Sequence, residues 1–139
     1  MGCAVQHRWR HEGAGKWIAY RLADGELVGR GSPSWTEICG VRRIELRWAI
    51  REQHRGHGYA TEIGSAGLAF AFDKLEVEEV VAFTEVHNRA SRAEMARLGM
   101  IEIGRIHRPG LIEGREGIHD SAPFSLYRIR SEPSMALPG

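Results

Sequence analysis

Between residues 44 and 74 the spacing of apolar side chains changes, and that change limits what the chain can fold into. In 44–50, Ile44, Leu46, Trp48 and Ile50 alternate with Glu45, Arg47 and Ala49. This is the period of a half-buried strand. From Tyr59 the period lengthens, and Tyr59, Ile63, Ala66 and Phe70 fall along one side of a helix. Gly56 and Gly58 stand between the two patterns, where they allow a tight turn and leave no side chain over the helix mouth. The first N–H groups of a helix point outwards with a partial positive charge. Glycines just before them let an anion approach, and a phosphate or diphosphate is the natural occupant. Arg55 could add a charge-assisted contact. An ordinary strand-to-helix connection would also use these glycines, so spacing alone leaves both readings open.

Residue identities add to this. Gln53-His54-Arg55-Gly56-His57-Gly58-Tyr59-Ala60 resembles the Gln/Arg-x-x-Gly-x-Gly/Ala signature of the GNAT superfamily of acetyl-CoA-dependent N-acyltransferases. Downstream, Asn88-Arg89-Ala90-Ser91-Arg92-Ala93-Glu94-Met95-Ala96-Arg97-Leu98-Gly99-Met100 resembles the Asn-x-x-Ser…Leu-Gly-Phe segment of the subgroup related to ribosomal-protein alanine acetyltransferases. The similarity covers roughly residues 16–129. It implies an α/β (α+β) fold: a mixed, mostly antiparallel central sheet with splayed parallel central strands, flanked by helices.

Length agrees with one domain, which the resemblance makes a GNAT-like domain over 1–130, followed by a tail over 131–139 whose two prolines suggest flexibility. The 139 residues are 42% apolar and 27% charged, ordinary for a soluble globular chain. Lysine plus arginine number 19 against 18 acids, a net charge of +1, so there is no footprint for nucleic acid. No apolar run approaches the ~18 residues needed to span a membrane. Cys3 and Cys39 lack metal-ligand spacing. Two free thiols in a reducing compartment are expected, hence a cytoplasmic location.

Taken in order, residues 1–15 read as the end of an amphipathic helix carrying Val5 and Trp9. Residues 16–22 and 26–38 read as strands joined at Asp24-Gly25, a strong hairpin turn. The second of them should be irregular at Gly29, Gly31 and Pro33. A further turn over 40–43 leads into the strand at 44–50. Residues 79–84 are nearly continuous apolar, as in a strand buried on both faces. Strand, helix, strand at this spacing implies a parallel pair. Residues 89–98 form a short helix ended by Gly99, and strands follow at 100–106 and 123–129. The segment 107–122 between them reads as a flexible loop.

The resemblance places the diphosphate of acetyl-CoA on Gln53, Arg55, Gly56, His57, Gly58, Tyr59 and Ala60. It places the pantetheine arm on the backbone of Trp48, Ala49 and Ile50, with Asn88 touching the arm. The reaction is acyl transfer to a primary amine, either a protein N-terminus or a small amine. Alignment, proton acceptance and oxyanion stabilisation are the tasks. Glu45 is the candidate base, acting through water, against a solvent-facing strand carboxylate as the alternative. Ser91 is the candidate donor near the sulfur, against a capping box formed with Glu94. Asn88 suits a helix N-cap as well. Many family members carry a tyrosine acid at the position of Met95, which cannot donate a proton. His54 and His57 read as exposed loop residues, since no third metal ligand is suitably spaced. His107 and His119 could line the acceptor site. Trp17, Trp35 and Trp48 read as core or cleft wall.

Family domains usually open with a strand and two helices, and only a remnant of these is legible at the front of this chain. The strand at 16–22 would then have a free edge. A partner copy completing a homodimer, a compact variant, or a start internal to a longer chain would each account for it. Two rival classes stand beside the transferase: a non-catalytic acyl-CoA-binding module or degenerate subunit, and a small nucleotide-binding domain. Against the latter, there is no Gly-x-x-x-x-Gly-Lys-Ser/Thr loop.

Overall fold

The pattern of alternating apolar residues at 44–50 belongs to the middle of a seven-stranded sheet. The computed structural model describes residues 7–12 and 16–131. The strands are β1 (His7–Glu12), β2 (Lys16–Arg21), β3 (Leu27–Ile38), β4 (Val41–Ile50), β5 (Glu79–Glu85), β6 (Ile101–Leu111) and β7 (Ile118–Arg130). Helix α1 (Tyr59–Asp73) joins β4 to β5, and α2 (Arg89–Arg97) joins β5 to β6. The spatial order is β1-β2-β3-β4-β5-β7-β6. Every neighbouring pair is antiparallel except β4 and β5, which run parallel.

The β4–β5 pairing is short. It joins Ile44 to Val80 and Glu45 to Val81 and goes no further, although β4 continues to Ile50. The strands part beyond Glu45, and the gap between them is where the site lies.

One face of the sheet carries both helices. Ile44 and Leu46 of β4, Val80 and Ala82 of β5 and Tyr127 of β7 pack there with Leu68, Ala71, Met95 and Met100. A second cluster joins Ala19 and Val28 to Tyr59 and Ile63 of α1. Ile63 is 1% exposed, and burial of such a side chain stabilises by roughly 1.5–3 kcal/mol. The buried stripe of α1 is Tyr59, Ile63, Gly64, Gly67, Leu68 and Ala71. Ala66 and Phe70, expected on that stripe, are half-buried at its margin. The buried line turns towards Gly67, which lets α1 lie close to Leu46 of the sheet, and Gly64, which lies against Leu98 at the end of α2.

Several expectations are corrected. Residues 7–12 form a strand rather than the end of a helix, and β1 pairs with β2 from His7–Arg21 to Glu12–Lys16. Val5 lies outside the described residues. The edge of β2 is therefore filled, and the argument for a second copy at that edge loses its premise. β3 is continuous across Gly29, Gly31 and Pro33 and keeps unbroken register with β4. The irregularity is a bulge in its pairing with β2. The turn into β4 is Cys39-Gly40, both at positive φ (51° and 80°), and Val41 already belongs to the strand. The segment 107–122 is mostly strand, since β6 runs to Leu111 and β7 starts at Ile118. Trp35 is 51% exposed rather than core, with the Arg42 guanidinium 4.5 Å above its ring. The side chain of Trp17 and most of the tail at 131–139 lie outside the described residues.

Among the described residues no helix is long and apolar enough to cross a membrane.

Candidate active site

The parting of β4 from β5 and the start of α1 enclose one cleft of about 680 Å³. Its first wall comes from β4, through Trp48, Ala49 and Ile50, and from the turn and first residues of α1: Arg55, Gly56, Gly58, Tyr59, Ala60 and Thr61. Its second wall is α2, through Asn88, Ala90, Ser91, Glu94 and Arg97.

The turn is built so that the helix mouth stays open. A single 3-10 turn over Glu52–His54 carries the chain off β4. Gly56 and Gly58 then sit at φ 83° and 80°, the left-handed region that glycine adopts at no steric cost. Gly58 is the N-cap of α1 and no side chain caps this end. The amides of Ala60 and Thr61 thus keep their outward direction. A Cβ at either glycine would meet nothing within 4 Å, so the space above the turn is free for a ligand. The donor set fits a diphosphate: first-turn amides, the helix dipole, and the exposed guanidinium of Arg55.

Beneath the turn lies an anchor that sequence reasoning missed. His54 was expected to be exposed and is instead 4% exposed, edge-on to the Tyr59 ring with centroids 6.1 Å apart. Its Nε2 lies 3.4 Å from Glu26 Oε1. Arg21 reaches the same Glu26 oxygen at 3.0 Å and donates to both oxygens of Asp24, at 3.1 and 2.7 Å. Hydrogen bonding from Arg21 holds the Asp24 carboxyl down to about 2. The β2–β3 turn is thereby tied to the loop at the cleft mouth. His57 is exposed.

On the second wall, Asn88 caps α2 by accepting the Ser91 N–H at 3.1 Å. The cap thus belongs to Asn88, and the Ser91–Glu94 capping box does not form. Asn88→Ala is expected to lower stability by about 1 kcal/mol, measured by urea unfolding. It should also loosen α2, which hydrogen exchange would report. Met95 is 3% exposed in the main core.

Of the residues singled out from the sequence, Trp48, Ala49, Ile50, Arg55, Gly56, Gly58, Tyr59, Ala60, Asn88 and Ser91 line the cleft. Gln53 and His57 do not. Glu45 does not either. It faces the other side of the sheet, beside Val81, and it is 3% exposed rather than solvent-facing. Its carboxylate takes two hydrogen bonds from Arg47, at 2.9 and 3.2 Å. His54, Thr61, Ala90, Glu94 and Arg97 line the cleft without having been foreseen. The spacing of Ser91 and Glu94 was the available signal, because residues three apart share a helix face. Among the described residues no group of three or more His, Cys, Asp or Glu side chains could hold a metal ion.

A strand that parts from its parallel neighbour, beside a helix with an open N-terminus, can be compared with known families. The model of the acetyltransferase (GNAT) domain matches residues 3–101. The chain belongs to the GNAT acetyltransferase family.

Among curated relatives, it is 29% identical over 131 residues to the FsC-acetyl coenzyme A-N(2)-transacetylase of Aspergillus fumigatus, covering 82% of this chain and 51% of that one. The chain spans about half the length of the curated relatives it matches. Among solved structures, a spermidine N-acetyltransferase variant from Vibrio cholerae superposes with a TM-score of 0.67 at 19% identity, covering 86% of this chain and 66% of that one. The ribosomal-protein-S5-alanine acetyltransferase of Vibrio fischeri gives 0.67 at 14% identity, covering 83% and 60%. At these identities the structures speak for the GNAT fold alone. The mixed sheet with its one parallel pair is that fold.

Proposed function

We propose that the chain transfers the acetyl group of acetyl-CoA directly to a primary amine, either a protein N-terminus or a small amine. The observation that carries this reading is the uncapped N-terminus of α1, opening behind Gly56 and Gly58 into the cleft walled by the end of β4 and by α2. The cosubstrate would supply an acetyl group already activated as a thioester. The amides of Ala60 and Thr61 and the Arg55 guanidinium would hold its diphosphate. Among the described residues no strand pairs with the β5-facing side of β4 beyond Glu45, so those backbone groups along Trp48, Ala49 and Ile50 that face away from β3 are open to the amides of the arm. Asn88 and Ser91 face the same space from α2. An amine acceptor is supported by the names of the two structural neighbours, a spermidine N-acetyltransferase and a ribosomal-protein-S5-alanine acetyltransferase. A cytoplasmic location, where acetyl-CoA is at hand, goes with this reading.

Glu45 is the candidate base, acting through water from the opposite face of the sheet. Arg47 occupies both carboxylate oxygens, so it must swing aside before water can reach them. Arg47 is 63% exposed and free to do so. Glu45→Gln is expected to lower kcat/KM for the amine about 100-fold, within the usual range for a general base, and to leave acetyl-CoA affinity unchanged. An unaltered kcat/KM would remove Glu45 from the mechanism.

The test of the whole reading is calorimetric titration with acetyl-CoA, followed by free-thiol release on a panel of amines that includes spermidine and an alanine-terminated peptide. Binding with thiol release supports the transferase. Absence of binding up to millimolar acetyl-CoA defeats it. Binding without release on any amine would favour a non-catalytic acyl-CoA-binding module, a second reading supported by the Glu45–Arg47 pairing and the sealed Met95.

A further inference from the structure

Glu94 is 6% exposed and lines a cleft built to collect anions. If its charge acted on the ligand, it would have the wrong sign. Both its oxygens are engaged elsewhere. Oε2 accepts the Thr61 hydroxyl at 2.6 Å, and Oε1 accepts Arg97 at 3.0 Å. Thr61 lies in the first turn of α1, beside the amides proposed for the diphosphate. Glu94 lies on α2, one turn beyond Ser91. The bond therefore joins the two walls of the cleft.

A second contact lies one turn further along both helices. A Cβ built on Gly64 of α1 would stand 2.5 Å from Leu98 Cδ1, at the C-cap of α2. The helices thus meet through a polar contact at Thr61–Glu94 and an apolar one at Gly64–Leu98. The apolar contact brings the backbones close. The polar one, nearer the mouth, has direction and fixes their rotation and spacing.

We infer that the Thr61–Glu94 hydrogen bond sets the separation of the cleft walls, which makes Thr61 and Glu94 positioning residues for cofactor affinity. Arg97 neutralises Glu94 and keeps its charge from opposing the anion. This inference rests on the acetyl-CoA reading above. A ligand held by α1 at one end and by Asn88 and Ser91 of α2 further along binds well only at one spacing of the two helices.

The test uses Thr61→Val, which is nearly isosteric, Thr61→Ser, Glu94→Leu and the Thr61→Val/Glu94→Leu double variant. Acetyl-CoA Kd is read by calorimetry, with Tm followed to confirm folding. Thr61→Val and Glu94→Leu should each weaken binding about tenfold, and the double variant no more than Glu94→Leu alone, because the Thr61–Glu94 bond is already broken there. Thr61→Ser keeps the hydroxyl and should bind like wild type. A Glu94→Leu variant that binds as tightly as wild type, or more tightly, overturns the inference. So does a double variant about 100-fold weaker, which would mean that Thr61 acts on the ligand directly. Failure of wild type itself to bind defeats the acetyl-CoA reading, and this inference with it.

Discussion

Tryptophan at Gly58 is expected to abolish acetyl-CoA binding while the protein stays folded. Gly58 is the N-cap of α1 at φ 80°, and the space where its Cβ would project is open. An indole there meets no protein atom at its first carbon and fills the mouth of the helix instead. The left-handed backbone costs a non-glycine residue roughly 1–2 kcal/mol, well within the ~5–15 kcal/mol of an ordinary domain. Circular dichroism should therefore be unchanged and Tm only a few degrees lower. Calorimetry should show Kd raised more than 100-fold. A Gly58→Trp protein that still binds like wild type would mean that the diphosphate does not sit at this helix end. Gly58→Ala separates the two effects, because it carries the same backbone strain without the bulk and should bind close to normally.

The second large effect is expected at Gly29. A Cβ there would stand 2.5 Å from the carbonyl oxygen of Ala49 and 3.3 Å from Ile50 Cα. Both obstacles are backbone, so neither can rotate away. Gly29 pairs with Ile50 in the β3–β4 ladder, and Trp48, Ala49 and Ile50 form one wall of the cleft. Gly29→Ala must push the end of β4 away from β3. Overpacking of this kind costs about 1–3 kcal/mol, which should lower Tm by about 5–10 °C in a domain of this size. The displaced wall should also weaken acetyl-CoA binding, although Gly29 touches no ligand in the proposed complex. A variant as stable as wild type would show that β3 and β4 can separate there at no cost.

The strand, turn and helix at the centre were legible because each has its own periodicity and the glycines mark the change. Asn88 was legible as a cap because asparagine offers an acceptor at the right reach. Other parts were hidden for physical reasons. β1 is a polar edge strand, and a strand with one neighbour needs no apolar alternation. β6 and β7 break the alternation with bulges at Glu102–Gly104 and Arg108–Gly110. Pro109 and Gly110 make this stretch resemble a loop. An edge strand tolerates Pro109 because its unpaired side needs no donor. His54 and Glu94 are polar residues that became buried through partners far along the chain, Glu26 and Thr61. No local pattern announces such a pairing. Glu45 was placed on its strand correctly, but its exposure depended on Arg47 and on the neighbouring strands.

The two-rung ladder between β4 and β5 bears on how the molecule carries load. On one side stand β1 to β4, on the other β5, β7 and β6, and each group is stitched internally by long antiparallel ladders. Among the described residues the ladder between them has only the pairs Ile44–Val80 and Glu45–Val81, helped by the Arg43–Glu79 ion pair, by Ile38 packing on Val81 and Leu126, and by α1 lying across the join. The sheet is in effect two stiff plates meeting along a fold line. Torque applied to either plate concentrates at that line, and a molecule laid along it, bonded to both plates, would act as a splint.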